Sequence, residues 1–260
     1  MPERGYLVVE GQLDVEFIER LLRLDGLEPV RLKSDLDPFW DVLVPTTFPI
    51  ADDLLRRVPV PRFLQSASHS IAVHSAGSIT RLVQTYQEDF ALLPAGGVQG
   101  VGFILDADTQ RSPAERFGAF RNELAALPDA PRLADGPGII QPGPPRSGVY
   151  VLPDNRSAGT LENLLLACGG VHYAGLLHDA QAFVDRLDRN GLNSDDLEEF
   201  RKPAGVNKAI VSSMASILKP AKSLQISLHD NRWLDAQVVQ SIPALQAFRQ
   251  FIIELLGLAG

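Results

Sequence analysis

Apolar positions recur along this chain in two rhythms, and their alternation predicts a fold class. Residues 6–10, YLVVE, form a short, nearly continuous apolar run rich in β-branched residues, the pattern of a buried strand. Between Leu13 and Leu24 the rhythm changes. Leu13, Phe17, Leu21 and Leu24 return every three or four residues, which predicts a helix, and Gly26 stops it. The exchange then repeats. SIAVHSAG (70–77) predicts a second strand and 78–90 a second helix. The glycine-rich turn GGVQGVG feeds a third strand that runs into GFILDAD (102–108), and 112–127 follows as a helix. GVYVLPDN (148–155) predicts the fourth strand, and GTLENLLLACG opens a helix that Thr160 can cap. Beyond it the pattern is helical over about 175–190, 194–200, 205–218 and 233–256.

Two stretches break both rhythms. Residues 34–64 carry Pro38, Pro45, Pro49, Pro59 and Pro61 and predict an irregular arm or lid, with at most one short helix near 50–57. Residues 128–148, rich in Pro and Gly, predict a loop with a short extended piece at Ile139–Ile140. Four apolar strands alternating with helices predict an α/β fold, a mostly parallel four-stranded sheet covered by helices on both faces. The expected organisation is one domain over 1–260, with an insertion near 34–66 and a helical C-terminal part near 205–260.

Composition narrows the class without changing it. Apolar residues make up 45% of the 260 and charged residues 22%, ordinary values for a globular protein. No apolar run approaches the roughly 20 residues of a membrane span, so no membrane partner is expected. The opening MPERGYLVVEG lacks the basic and long apolar segments of a signal peptide. The single cysteine, Cys168, excludes an intrachain disulfide framework and a cysteine-rich zinc site. Together these predict a cytoplasmic protein. The net charge of −8 disfavours a nonspecific nucleic-acid coat, though not an enzyme whose basic residues are local. The run LLRRVPVPRF is one candidate patch; scattered solvated arginines are the plainer account.

The strand ends carry the chemistry. Val9 leads into Glu10, Leu105 into Asp106 and Leu152-Pro153 into Asp154. In parallel sheets ligands gather beyond the C-terminal strand ends, so these acids are expected together. Neighbouring carboxylates stay ionised when a cation sits among them, and all-oxygen ligands suit Mg²⁺ or Mn²⁺. Asp108 completes a D-x-D pair, while Asp14, four residues after Glu10, and Glu162, in the first turn of a helix, are further candidate ligands. Each has a structural alternative: a helix-dipole acid for Asp14 and Glu162, a turn for Asp154-Asn155.

LVVEGQLDVEFIERLL together with GFILDAD resembles a TOPRIM domain, the catalytic module of topoisomerases, primases and the overcoming-lysogenization-defect (OLD) nucleases. The matching positions are Glu10-Gly11 and Asp106-x-Asp108. VYVLPDNRSAGTLENLLL is similar to an uncharacterised, mostly bacterial TOPRIM-related group labelled as a domain of unknown function. The resemblance covers about residues 5–220. It implies a TOPRIM-like, Rossmann-like core and a Mg²⁺- or Mn²⁺-dependent phosphoryl-transfer centre, in the first place a nuclease on DNA or RNA. In it Glu10 would be general acid/base or metal ligand, and Asp106 and Asp108 would hold the metal. Asp14 and Glu162 would be extra ligands, and Lys208 the cation near the scissile phosphate. The long 34–66 segment departs from a minimal TOPRIM, and no P-loop, primase zinc module or topoisomerase tyrosine domain is visible. The chain is thus expected to be a free-standing TOPRIM, possible as a homodimer, or half of a system whose partner protein is encoded separately. The alternative is a non-catalytic TOPRIM-like module that binds metal, nucleotide or a protein.

Among the remaining residues, His69, His172, His178 and His229 read as structural or surface groups, and His74, ending the second strand, is the exception that should face the site. Ser75 and Ser78 beside it would bind phosphate or cap the helix. Cys168 reads as a buried small residue. Trp40, Trp233, Phe39 and Phe63 read as core before base-stacking groups. The last helix carries an apolar stripe of Leu245, Phe248, Ile252 and Leu255-Leu256, which predicts docking on the body or a dimer contact.

Overall fold

The computed structural model describes residues 1–47, 52, 60–187 and 191–258. The strands are β1 (Glu3–Val9), β2 (Glu28–Pro29), β3 (Arg62–Gln65), β4 (His69–Ser75), β5 (Gly100–Asp106), β6 (Ile140–Gln141) and β7 (Arg146–Leu152). The helices are α1 (Gln12–Arg23), α2 (Leu82–Phe90), α3 (Pro113–Leu124), α4 (Leu161–His172), α5 (Ala174–Asp185), α6 (Glu198–Arg201), α7 (Gly205–Leu218), α8 (Leu224–Asp230), α9 (Ala236–Ser241) and α10 (Pro243–Leu256). These elements group into two compact units. The first is Met1–Leu105, Phe117–Tyr150 and Gln250–Gly260; the second is Asp106–Arg116 and Val151–Arg249.

The first unit is built on a mixed seven-stranded sheet of order β2-β3-β4-β1-β5-β7-β6. Its centre is parallel: β1 pairs with β4 (Val8 opposite His74) and with β5 (Val9 opposite Ile104). The edges are antiparallel, β2 on β3, β3 on β4 and β6 on β7. The apolar runs are explained by burial on both faces, since Tyr6, Leu7, Val8, Val9, Val101 and Phe103 are fully enclosed. Helix α1 buries Val15, Phe17, Ile18, Leu21 and Leu22. Its polar side is tied down from β3, where Arg62 meets Glu16 at 2.8 Å and the buried Glu19.

The C-terminal turns of α10 explain a set of glycines in the central strands. A Cβ on Gly5 would collide with Leu256, one on Gly100 with the Leu255 carbonyl, and one on Gly148 with Phe251. Arg146 Nε donates to the Leu255 carbonyl at 2.8 Å, satisfying a helix-end acceptor. The last helix therefore docks on the sheet of its own chain, as its apolar stripe predicts.

The second unit is helical around a buried set that includes Cys168, Met214, Trp233 and Leu234. Gly169 of α4 lets Met214 and Trp233 approach; an added Cβ would lie 2.8 Å from Met214 Cε. Burial pushes the Cys168 thiol up to about 12, so it is an inert core residue.

Several expectations are corrected. Among the described residues the sheet has seven strands, not four, because β2, β3 and β6 are strands of two to four residues, too short to display a period. The 34–66 segment is not simply irregular. Short 3₁₀ turns form at Lys33–Asp35 and Pro38–Leu43, the second burying its Trp40, and β3 joins the sheet. The helix expected near 50–57 and most of LLRRVPVPRF lie outside the described residues, while Arg62 pairs with Glu16 and Glu19. The single helix expected over 233–256 is α9 and α10. Ile242 is extended before Pro243, as a residue preceding proline prefers to be. Both tryptophans are fully buried, Trp40 Nε1 donating to Ser70 Oγ (2.9 Å) and Trp233 Nε1 to Ser227 Oγ (3.0 Å), which makes them core residues.

Candidate functional site

In the second unit, two motifs far apart in sequence are joined. Asp106 is the last residue of β5, and its Oδ1 accepts the backbone N–H of Leu161, the first residue of α4, at 2.9 Å. Two residues on, the carbonyl of Asp108 accepts the N–H of Gly159 at 2.9 Å. The D-A-D segment is thereby laced to G-T-L-E. Gly159 has φ +149°, and an added Cβ would lie 2.7 Å from Asn163 Oδ1, so glycine is needed on both counts. Asn163 Oδ1 also accepts the N–H of Thr160 at 2.9 Å, closing the start of α4. The Asp106 carboxylate thus meets the positive end of a helix.

Glu162, one residue further, is only 6% exposed, and its Oε2 accepts the Thr160 hydroxyl at 2.7 Å. Asp108 is the open member of the group, its side chain 52% exposed, with a left-handed backbone (φ +63°). Its Oδ2 is bound by Nη2 of Arg116 from the first turn of α3. That helix starts where Ser112 and Glu115 cap each other: Ser112 N–H donates to Glu115 Oε2 (2.8 Å) and Glu115 N–H to Ser112 Oγ (3.2 Å). The Arg116 side chain is 10% exposed, and its Nε is buried with no hydrogen-bond partner among the described residues.

Asp154 is occupied by its own turn. Its Oδ1 accepts Arg156 N–H (3.0 Å) and Ser157 N–H (2.6 Å), and its Oδ2 accepts the Ser157 hydroxyl (2.9 Å). Burial raises its pKa, but those donors outweigh burial and hold the carboxyl below the usual range. Lys208 is exposed in the first turn of α7, and among the described residues no ion pair joins it to these acids.

The other expected residues belong to the first unit. Glu10 follows β1 and is partly buried. Asp14 accepts the N–H of Gly11 at 2.9 Å and so closes the start of α1. His74 is turned inward: its Nδ1 lies 2.5 Å from Asp89 Oδ2, the atom that also accepts the Tyr6 hydroxyl. A carboxylate only accepts, so the histidine proton sits on Nδ1. Nε2 is buried without a partner among the described residues. Burial, then the Asp89 charge, pushes the Tyr6 hydroxyl well above its ordinary pKa.

Among the described residues no three His, Cys, Asp or Glu side chains form a ready-made metal cage. The acids on the laced segments of the second unit nonetheless offer carboxylate oxygens, the chemistry of a hard cation. Mg²⁺ is usually held by one or two carboxylates with water and substrate phosphate rather than by an all-protein cage. Asp106 and Asp108, two residues apart, offer such carboxylates, and Glu162 offers another on the helix whose first N–H Asp106 accepts. Sequence reasoning missed Arg116, Asp89 and the lacing through Gly159 and Leu161. Arg116 was within reach: it lies eight residues after Asp108, at the start of the next helix.

The family model described as Protein of unknown function (DUF3226) matches residues 4–257. Among solved structures, the crystal structure of hypothetical protein PH0156 from Pyrococcus horikoshii OT3 is similar with a TM-score of 0.52. It is 16% identical, over 96% of this chain and 99% of that one, a likeness of fold alone. No curated protein matches the chain.

Proposed function

The chain belongs to the DUF3226 family, and for it we propose a Mg²⁺- or Mn²⁺-dependent phosphoryl-transfer activity, cleavage of a phosphodiester in DNA or RNA, on a TOPRIM-like core. The observation that carries the reading is the lacing of D-A-D to G-T-L-E, by Leu161 N–H on Asp106 and Gly159 N–H on the Asp108 carbonyl. The first motif resembles part of the TOPRIM catalytic module and the second an uncharacterised TOPRIM-related group, and backbone N–H groups hold the two together.

In this reading Asp106 and Asp108 hold the metal, with Glu162 as a further oxygen ligand. The ion supplies charge stabilisation and a nucleophilic water at neutral pH. The chain's own residues set the stage. The α4 N-terminus meets the Asp106 carboxylate with the Leu161 N–H and the positive end of the helix. Thr160 orients Glu162 by its hydroxyl. Arg111, Arg116 and Arg156, on the segments that carry Asp108 and Asp154, put local positive charge beside the acids despite the net charge of −8. By the resemblance, Lys208 would offset charge on the phosphate. Asp154 and Asp14 are read as turn and cap residues, on their hydrogen bonds.

One observation favours a second reading. Arg116 already neutralises Asp108, as it would in a module that binds a partner and turns nothing over. The test is cleavage of plasmid and single-stranded DNA and RNA under Mg²⁺ and Mn²⁺ titration, with Asp106→Asn as control. Metal-dependent cleavage lost in the variant supports the enzyme. Metal binding without cleavage selects the second reading, and no metal binding at all removes the account of the strand-end acids.

A further inference from the structure

Arg116 carries a feature that its pairing with Asp108 leaves unexplained. The side chain is nine-tenths buried, and its Nη2 is bound to Asp108. Its Nε is enclosed without an acceptor among the described residues. A buried donor with no acceptor is destabilising, and native proteins rarely keep one without a reason. In a guanidinium, Nε–H and one Nη2–H lie on the same edge and form a fork that matches two oxygens of a carboxylate or phosphate. Here one prong meets Asp108 and the other meets nothing. Asp108 does not close the fork, because its contact is through Oδ2 to Nη2 alone.

We propose that Arg116 is the phosphate-binding residue of the site, with Nε as the prong that takes a substrate phosphate oxygen while Nη2 remains on Asp108. The ligand class is a phosphodiester of a single-stranded nucleic acid. The inference rests on the phosphoryl-transfer reading and deepens it. Positive charge on an exposed lysine attracts phosphate over a distance. A buried arginine, anchored at one atom and with an unused donor at the next, fixes where the phosphorus sits relative to Asp108 once a phosphate oxygen reaches that enclosed edge. The pairing that favours a non-catalytic module then becomes a positioning device. The acid restrains the arginine, and the arginine leaves the second Asp108 oxygen, Oδ1, out of its grip.

The experiment is fluorescence anisotropy of a labelled single-stranded DNA oligonucleotide and its RNA counterpart, in Ca²⁺ and in EDTA, with the whole chain. Parent, Arg116→Ala and Arg116→Lys are compared across a salt series. The expected result is about tenfold weaker binding for Arg116→Ala, with the salt slope reduced by about one. Arg116→Lys should restore the slope but only part of the affinity, since lysine keeps the charge and lacks the fork. Arg116→Lys also keeps the test valid if Arg116→Ala fails to fold. Unchanged affinity and slope in a folded variant overturn the proposal, and metal-dependent cleavage by the parent would then still uphold the wider reading. If the parent binds neither probe in any condition, the failure is visible without the variants and the phosphoryl-transfer reading falls with it.

Discussion

The two acidic regions of this molecule use the same residue types to opposite ends. In the last turn of α2, Asp89 is buried with Tyr6 and His74, and a single carboxylate oxygen accepts from both. At the end of β5, Asp106, Asp108 and Glu162 accept from an amide, a guanidinium and a hydroxyl respectively, and exposure ranges from 6% at Glu162 to half at the Asp108 side chain. The first carboxylate faces donors of its own fold and is nearly enclosed, its side chain 11% exposed. The second set is held in place by the fold and still presents acid to the outside at Asp108. A buried acid beside the sheet is therefore not a site by virtue of position. What separates structure from chemistry is whether the neighbours consume its acceptor capacity.

That contrast can be broken most directly at Asp89. Replacing it by Ala removes the oxygen to which both the Tyr6 hydroxyl and the His74 Nδ1–H donate, and should destabilise the protein by about 3 kcal/mol in a denaturant titration. A loss below about 1 kcal/mol would mean that the cluster is not structural. The mirror experiment is Asp106→Asn. The amide oxygen can still accept the Leu161 N–H, so stability should change by under about 1 kcal/mol, while metal-dependent cleavage falls about a hundredfold or more. An unfolded Asp106→Asn would erase the distinction between the regions.

Gly159→Ala sharpens the comparison at the lacing itself. A side chain at φ +149° facing Asn163 should destabilise by about 2 kcal/mol, and cleavage should drop with it even though no acid is touched. The smallest effects separate the regions by pH. The Tyr6 proton is bound more tightly folded than unfolded. Its contribution is therefore present below the ordinary tyrosine pKa of about 10 and lost as pH rises past it. Asp154 is the reverse. Its folded pKa is lowered, so its contribution is present above the ordinary value of about 3.9 and lost as pH falls. Stability measured against pH should show a flatter alkaline limb in Tyr6→Phe and a flatter acid limb in Asp154→Asn. The same limb flattened in both would contradict the assignments.

The four long strands were legible because burial on both faces writes itself as a continuous apolar run, and α1 was legible because burial on one face writes itself as a period. Glu10, Asp106 and Asp154 were legible as strand-end acids for the same reason: a charge directly after a buried run stands out. Strands β2, β3 and β6 were hidden because two to four residues hold no period. The roles of Asp14 and Asp154 were foreseeable as alternatives, and their local hydrogen bonds make them concrete.

The sequence by itself determined the alternation of strands and helices, the burial of the tryptophans and Cys168, and the strand ends at which acids stand. These follow from local patterns that every residue carries with it. Only the tertiary structure decided which acid receives which donor: Asp89 with partners 15 and 83 residues away, Asp106 with one 55 residues away. It alone decided that Gly5, Gly100 and Gly148 are small to admit the last turns of α10. A hydrogen bond or a close approach across that separation leaves no period in the chain, because its geometry exists only once the intervening elements have packed.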